Sequence, residues 1–179
     1  MDFGALLSES WEKFIAEIVQ LVLFALVGTL LCFTIILIPT VAGGWFRGIL
    51  GYVRTGHPPD FEELWNFDDY IAILILLLLG GIGVTIGYML LFIPGVILSV
   101  LWLYALFFLL DRDLGVVEAF GASKDAVLAS GFINHLVVLL IVSVLGALGG
   151  SLSGLGTIFT TPFGIVFMAL CYEELERGE

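Results

Sequence analysis

The chain has 179 residues, of which 60% are hydrophobic and 13% are charged, and its mean hydropathy is +1.15. Soluble domains are about 45–50% apolar and about 25% charged, so this composition excludes a soluble globular protein. Seventeen acids against six lysines and arginines give a formal net charge of −11. No nucleic-acid partner is expected for so acidic a chain.

Three stretches contain no Asp, Glu, Lys or Arg, namely Ile18–Phe46, Tyr70–Leu110 and Ala126–Tyr172. A single helix over the second stretch would be about 60 Å long, roughly twice the hydrocarbon thickness of a bilayer. Each long stretch is therefore predicted to cross the membrane, turn and return. The runs lack the alternation of barrel strands, so the spans must be helices. The sequence predicts an all-α integral membrane protein with a single domain over residues 1–179.

In chain order, an interfacial amphipathic helix is predicted first, over residues 2–16. Six transmembrane helices are predicted to follow as three helical hairpins, at about 17–38, 39–54, 70–89, 96–110, 132–148 and 155–172. Linkers with further cytoplasmic amphipathic helices separate the hairpins, at Thr55–Asp69 and Asp111–Ser130. The second hairpin is predicted to turn at Phe92–Gly95. Pro162 falls inside or at the entrance of the last span, which leaves open whether that span crosses fully.

The loop cations all lie on one side of this arrangement, at Lys13, Arg54, Arg112, Lys124 and Arg177. Loop cations are retained on the cytoplasmic side, whereas acids count little. Both termini are therefore predicted to be cytoplasmic in a multi-pass protein of the cell membrane. A four-span arrangement with re-entrant hairpins would also keep the cations together. The charges thus indicate the side more strongly than the number of crossings.

The acids form four clusters, and only two lysines are present, so the predicted cytoplasmic face is acid-rich and lysine-poor. Such a face suits a cytoplasm with very high salt, where carboxylates stay hydrated and their repulsion is screened. This reading favours a halophilic archaeal source. The alternative is that the cytoplasmic face is acidic without any relation to a high-salt cytoplasm.

Residues for catalysis or ion coupling are missing from the spans. No carboxylate lies within a span beyond Glu17 at the edge of the first, whereas ion-coupled transporters usually need an ionisable group near the midplane. The chain has two histidines, His57 and His135, and no metalloprotease, nucleophile-elbow or P-loop motif. We expect no enzyme, no catalytic residue, no cofactor and no metal site. Cys32 and Cys171 both lie in apolar helices and are interpreted as core residues.

Arg47 is the one charge within a predicted span, about 12 Å from the outer end of that span. A mid-membrane arginine costs at least ~2.5 kcal/mol, so its side chain is expected to face protein, water or a lipid headgroup. Arg47 and Arg54 are candidate contacts for an anion or a lipid phosphate. The alternative is that Arg47 snorkels to the cytoplasmic interface beside Arg54. Asn134 and His135 are a candidate polar contact within the fifth span, although hydrogen bonding to a neighbouring helix is the more common use.

Seven glycines at four-residue spacing are candidates for close helix packing: Gly44, Gly48, Gly83, Gly87, Gly146, Gly150 and Gly154. In membranes, such glycines let helix backbones approach, where dispersion contacts and weak CH···O bonds replace the hydrophobic drive. Intramolecular packing is the default interpretation. Homo-oligomer contacts, or hinges around a cavity, are the alternatives.

Several short motifs span most of the chain: Gly43-Gly44 followed by Arg47, Gly51-Tyr52-Val53-Arg54, Gly56…Pro59…Phe61, Ile93-Pro94-Gly95 and Ala119…Ser123…Gly131. In these motifs the chain resembles a loose group of small prokaryotic membrane proteins. The group includes the membrane domain attached to some glycerophosphodiester phosphodiesterases, and a related family of unknown function common in haloarchaea. The resemblance implies a six-helix membrane fold with interfacial helices. It brings no activity or catalytic residue, and the chain lacks any phosphodiesterase domain.

The favoured hypothesis for function is a non-catalytic membrane module that organises lipid or protein partners through its acidic face and amphipathic helices. Its partners would be membrane lipid, a second copy of the chain, or another membrane protein. The alternative is a transporter or channel for a neutral solute or a lipid, not coupled to ions, with Arg47 beside the path. An intramembrane enzyme is the least favoured hypothesis.

Overall fold

The computed structural model describes residues 2–32, 35–151 and 156–177. Within these ranges every regular element is helical, and no strand occurs, so the predicted all-α class is confirmed. The α-helices are α1 Phe3–Ala16, α2 Ile18–Cys32, α3 Ile38–Thr55, α4 Tyr70–Leu90, α5 Phe92–Leu101, α6 Ala105–Arg112, α7 Val116–Ser130, α8 Phe132–Ser151 and α9 Thr157–Arg177. Two short 3₁₀ helices cover Ile35–Leu37 and Phe61–Trp65.

Four segments of the described chain are long and apolar enough to cross a membrane, and they coincide with α4, α5 plus α6, α8 and α9. A fifth candidate is the pair α1 and α2, which is bent by 86°. These segments support a membrane protein. The predicted second span, about 39–54, matches α3 in its bounds, but α3 is not among the four segments. The count of six spans therefore stays a prediction.

The second predicted hairpin differs from the prediction in where it turns. The extended residue at the turn is Leu91, and α5 begins at Phe92 rather than at about Val96. Pro94 lies in the first turn of α5, where a missing N–H breaks no helical hydrogen bond. In the last hairpin, Pro162 lies inside α9, which continues past it.

The first helix is amphipathic, as predicted. The Asp2 side chain caps it by accepting hydrogen bonds from the backbone N–H groups of Gly4 and Ala5 at 3.0 and 3.1 Å. Leu6 and Phe14 are buried, whereas Trp11 is exposed. This inner face packs against α9, with the rings of Phe14 and Phe163 in edge contact.

The α2–α3 hairpin is covered on one side by the linker between α3 and α4. A Cβ on Gly44 would lie 2.5 Å from the backbone O of Glu63, and one on Gly48 would lie 3.0 Å from Cβ of Pro59. The linker therefore packs against α3 at positions where only hydrogen fits. Gly56, with φ of +75°, ends α3 and reverses the chain so that the linker runs back along the helix.

Both ends of α3 lie near the same end of the α4–α6 pair. The Tyr70 hydroxyl donates to the backbone O of Ile36 at 2.9 Å, just before α3 begins. At the other end of α3, Arg54 pairs with Asp111 near the end of α6. Because α4 and α6 are antiparallel, Tyr70 and Asp111 belong to one end of the bundle, which we call the charged end. The helix α3, about 27 Å long, also packs along α9, because Arg54 pairs with Glu173 near the end of α9 whereas Trp45 lies beside Thr161 and Ile165.

Candidate functional site

Arg47 is paired with two carboxylates of the linker. Its Nη1 lies 3.5 Å from Oε2 of Glu63, and its Nη2 donates to Asp69. Asp69 immediately precedes α4, so the guanidinium lies at the start of a span rather than halfway along one. The charge of Arg47 is therefore balanced within the chain.

Arg54 joins the C-terminal ends of three helices. It donates from Nη2 to Oδ2 of Asp111 on α6 at 2.9 Å and also bonds Glu173 on α9. The Tyr172 hydroxyl donates to the same Asp111 oxygen at 2.9 Å. Hydrogen bonding to Asp111 raises the pKa of Arg54 above its usual range, against an opposing effect of burial, and Glu173 acts in the same direction as Asp111. We call Arg54, Asp111 and Glu173 the ion-pair clamp.

Both arginines predicted as contacts for an anion or a lipid phosphate thus have carboxylates as neighbours. An incoming phosphate would meet Glu63 and Asp69 at Arg47, or Asp111 and Glu173 at Arg54. Like charges at this distance repel, so each arginine is better suited to joining segments of the chain than to binding an anion.

His135 is fully buried and lies between two hydroxyl groups. Its Nδ1 is 3.1 Å from the Tyr104 hydroxyl, and its Nε2 is 2.6 Å from Oγ of Ser130. Ser130 donates its single hydroxyl proton to the backbone O of Ala126 at 2.7 Å. It must therefore accept from Nε2–H, which leaves Nδ1 to accept from Tyr104. The neutral imidazole joins α8 to α7 and to Tyr104 at the break before α6, as expected for an inter-helix hydrogen bond.

The break between α5 and α6 is held by a serine of α7. Ser123 donates from Oγ to the backbone O of Leu101 at 2.8 Å and accepts from the backbone N of Tyr104 at 3.2 Å. It thereby satisfies two backbone groups that the interrupted helix leaves open. Asn134 donates to the backbone O of Ser130 at 3.3 Å. The polar residues in this region are thus used within the chain.

The predicted packing glycines fall into three groups. Gly83 and Gly87 of α4 face α5, since a Cβ on Gly87 would lie 2.9 Å from Cα of Gly95. Gly44 faces the linker, and Gly48 faces both the linker at Pro59 and the Phe24 ring of α2. A Cβ on Gly146 or Gly150 would meet open space, and Gly154 lies outside the described residues.

Two apolar clefts of about 290 Å³ each lie between the spans, and Phe46 of α3 lines both. The Trp102 cleft is lined by α4, α5 and α6, with Leu76, Leu77, Gly81, Trp102 and Leu106. The Trp45 cleft is lined by α8 and α9, with Trp45, Leu145, Gly146, Thr160 and Gly164. Sequence reasoning did not identify either cleft. In the sequence, the residues that line them are indistinguishable from other span residues, because the clefts form only when the helices pack.

No metal cluster occurs among the described residues: no group of three or more His, Cys, Asp or Glu is placed to hold an ion. Comparisons with family models, curated proteins and solved structures found no match for the chain. The resemblance to the phosphodiesterase membrane domains therefore stays a prediction.

Proposed function

We propose that the chain is a non-catalytic membrane module that organises lipid or a partner membrane protein through the outer faces of α4 and α8. The observation that carries the proposal is the uneven burial of the spans. Only 17% of the apolar window is buried in α4 and in α8, against 56% in α9. Large side chains such as Ile82 and Leu148 point away from the chain's own core. These two faces are the chain's main apolar surfaces for other molecules.

The charged groups support the same proposal. In a transporter for a polar solute, a cation or carboxylate beside the path would be available to the solute. Here Arg47 and Arg54 are engaged by carboxylates, and the His135 nitrogens are engaged by Tyr104 and Ser130. The polar groups thus hold the helices together, and the apolar faces remain for contact.

We further propose the four-span arrangement that the sequence left open, with α4, α5 plus α6, α8 and α9 crossing the cell membrane. The α2–α3 hairpin would then lie at the cytoplasmic end, since Arg47 pairs with Asp69 and Arg54 with Asp111. Both termini would be cytoplasmic, because the cation-bearing segments share that side. The five acids of the linker at 60–69 would then stay out of the hydrocarbon.

Cysteine labelling in sealed cells separates four spans from six. With Cys32 and Cys171 replaced by serine, Ile36→Cys reports the tip of the α2–α3 hairpin, and Met89→Cys reports the opposite end of α4. Both side chains are well exposed. A membrane-impermeant maleimide is expected to label residue 89 from outside and residue 36 only after permeabilisation. External labelling of residue 36 in sealed cells would contradict four spans and favour the six-span arrangement.

Reconstitution tests the proposed function itself. A photo-crosslinking residue at Ile82 or Leu148 is expected to capture lipid or protein in native membranes, whereas the same residue at the buried Ile73 is the matched control. Liposomes with the purified chain are expected to show no flux of neutral solutes and no lipid scrambling above protein-free liposomes. Flux that collapses in Arg47→Ala would overturn the module and favour the transporter.

A further inference from the structure

The two clefts share one lining residue, Phe46 of α3. Phe46 stands between them and packs on Phe107 of α6, with the ring centroids 4.8 Å apart. Phe107 is four residues, about 6 Å, from Asp111 of the ion-pair clamp. The helix α3 therefore supplies part of the wall of both clefts, and apolar spans supply the rest.

The lining of the clefts offers little to a polar ligand. Ser99 lines the Trp102 cleft, but its hydroxyl donates to the backbone O of Gly95 at 2.8 Å. In the Trp45 cleft, the indole N–H of Trp45 points to the backbone O of Phe24 at 3.5 Å. Three threonines, Thr157, Thr160 and Thr161, also line the Trp45 cleft, but most of the lining surface of both clefts is hydrocarbon. An apolar ligand is favoured because a hydrocarbon that fills the clefts gains dispersion contacts with their lining.

The size of the clefts distinguishes among apolar ligands. A volume of about 290 Å³ lies at the lower end of the range for small-molecule pockets. A partner helix is 10–12 Å across with its side chains, so it cannot enter a gap between helices that already pack on one another. A flexible hydrocarbon chain is narrow enough, and the surrounding bilayer supplies such chains.

We propose that the Trp102 cleft and the Trp45 cleft each hold an acyl chain of a membrane lipid, with Phe46 separating the two chains. This inference rests on the proposed function and deepens it, because it names the lipid part that the module holds and the place where it is held. One chain fills the space between α3 and the α4–α6 hairpin, and the other fills the space between α3 and the α8–α9 hairpin.

Each cleft carries its own tryptophan, which makes the proposal testable by fluorescence. Two full-length proteins, each with one remaining tryptophan (Trp45 or Trp102) and phenylalanine at the other three positions, are reconstituted in bilayers with brominated acyl chains. Bromine quenches indole fluorescence only at close contact. Both tryptophans are expected to be quenched. Quenching by aqueous acrylamide instead of brominated lipid would overturn the proposal, since it would indicate water-filled clefts.

Filling each cleft supplies the specific test. Gly81 lines the Trp102 cleft and Gly146 lines the Trp45 cleft, and a Cβ on either meets open space, so a leucine can enter. Gly81→Leu is expected to abolish most of the lipid quenching of Trp102 and to leave that of Trp45 unchanged; Gly146→Leu is expected to do the reverse. Gly150→Leu is the matched control on α8, because its Cβ also meets open space but lines neither cleft.

The outcomes separate the acyl-chain sites from the proposed function. Equal effects of Gly146→Leu and Gly150→Leu, or quenching that neither filling variant changes, would overturn the acyl-chain sites. Circular dichroism checks that each variant is folded, and the unfilled single-tryptophan proteins test occupancy even if one filling variant does not fold. Flux in the liposome assay would overturn the module while leaving bound chains intact.

Discussion

The charged end and the cleft-bearing part of the molecule are held together by different forces. At the charged end, directional bonds join elements far apart in the chain, as in the ion-pair clamp and the bonds of Arg47 to the linker. In the cleft-bearing part, α4 packs on α5 and α8 packs on α9, and an apolar cleft remains between α3 and each of these two hairpins. Ion pairs and hydrogen bonds fix the first region, whereas apolar packing that leaves clefts forms the second.

The largest expected effect tests the ion-pair clamp. Arg54→Met leaves Asp111 and Glu173 without their cation, and these side chains are only 17% and 16% exposed. Removing one partner of a buried pair costs about 3–5 kcal/mol, and the partial exposure of Arg54 reduces this to about 2–3 kcal/mol. The measurement is the unfolding free energy in micelles. Arg112→Met is the control, since Arg112 is 50% exposed and its pair with Glu176 is worth less than about 1 kcal/mol. Equal losses would contradict the clamp.

The next effect concerns the buried histidine. His135→Ala removes the hydrogen bonds to Tyr104 and Ser130 and leaves a cavity, so we expect a loss of about 2–3 kcal/mol in unfolding free energy. Asn134→Ala, one residue away and only partly buried, is expected to lose less than about 1 kcal/mol. If both variants unfold alike, the network does not hold α8 in place.

A smaller effect probes the fit of the linker on α3. In Gly44→Ala the new methyl group meets the backbone of Glu63, and overpacking of this kind costs about 1–3 kcal/mol. Gly51→Ala on the same helix meets open space and is expected to gain up to about 1 kcal/mol from helix propensity. Thermal unfolding of the two variants should shift in opposite directions. A stabilised Gly44→Ala would show that the linker does not pack there.

The smallest effect is a pH dependence. Burial, and secondarily the charge of Glu17, raises the pKa of Tyr52, whose hydroxyl donates to the backbone O of Lys13 at 2.6 Å. A raised pKa in the folded state means that the stability from Tyr52 is full below about pH 10 and is lost as the pH rises through the folded-state pKa. Tyr52→Phe should lose about 1 kcal/mol at pH 7 and show a shallower alkaline decline. Parallel pH curves would contradict this.

Hydropathy located most of the helices, because a helix in lipid satisfies its own backbone and needs no partner to be recognised. The predicted third span ends within a residue of α4, and the predicted interfacial helix matches α1. The break at Trp102–Tyr104 had no signal, since no glycine or proline marks it and its brace, Ser123, lies in another helix. Charge-free length also suggested a full crossing for α3, and that crossing stays a prediction because α3 is not among the four segments long and apolar enough to span.

The candidate site was only partly predictable for a similar reason. His135 was identified because a polar residue in an apolar run needs a partner. Its partners carried no such signal, since Tyr104 lies inside the predicted fourth span and Ser130 ends the predicted linker. The partners of Arg54 are separated from it by 57 and 119 residues, and no spacing rule relates them. The two clefts arise only from how the hairpins pack.

The ion-pair clamp has a consequence for how the protein is made. Glu173 emerges from the ribosome long after Arg54 and Asp111, and α1 also packs on α9. The first helix and the charged end therefore stay incompletely assembled until α9 is synthesised and inserted. These contacts are completed only by α9, so a nascent chain stalled before α9 is more exposed to quality-control proteases than one that includes it.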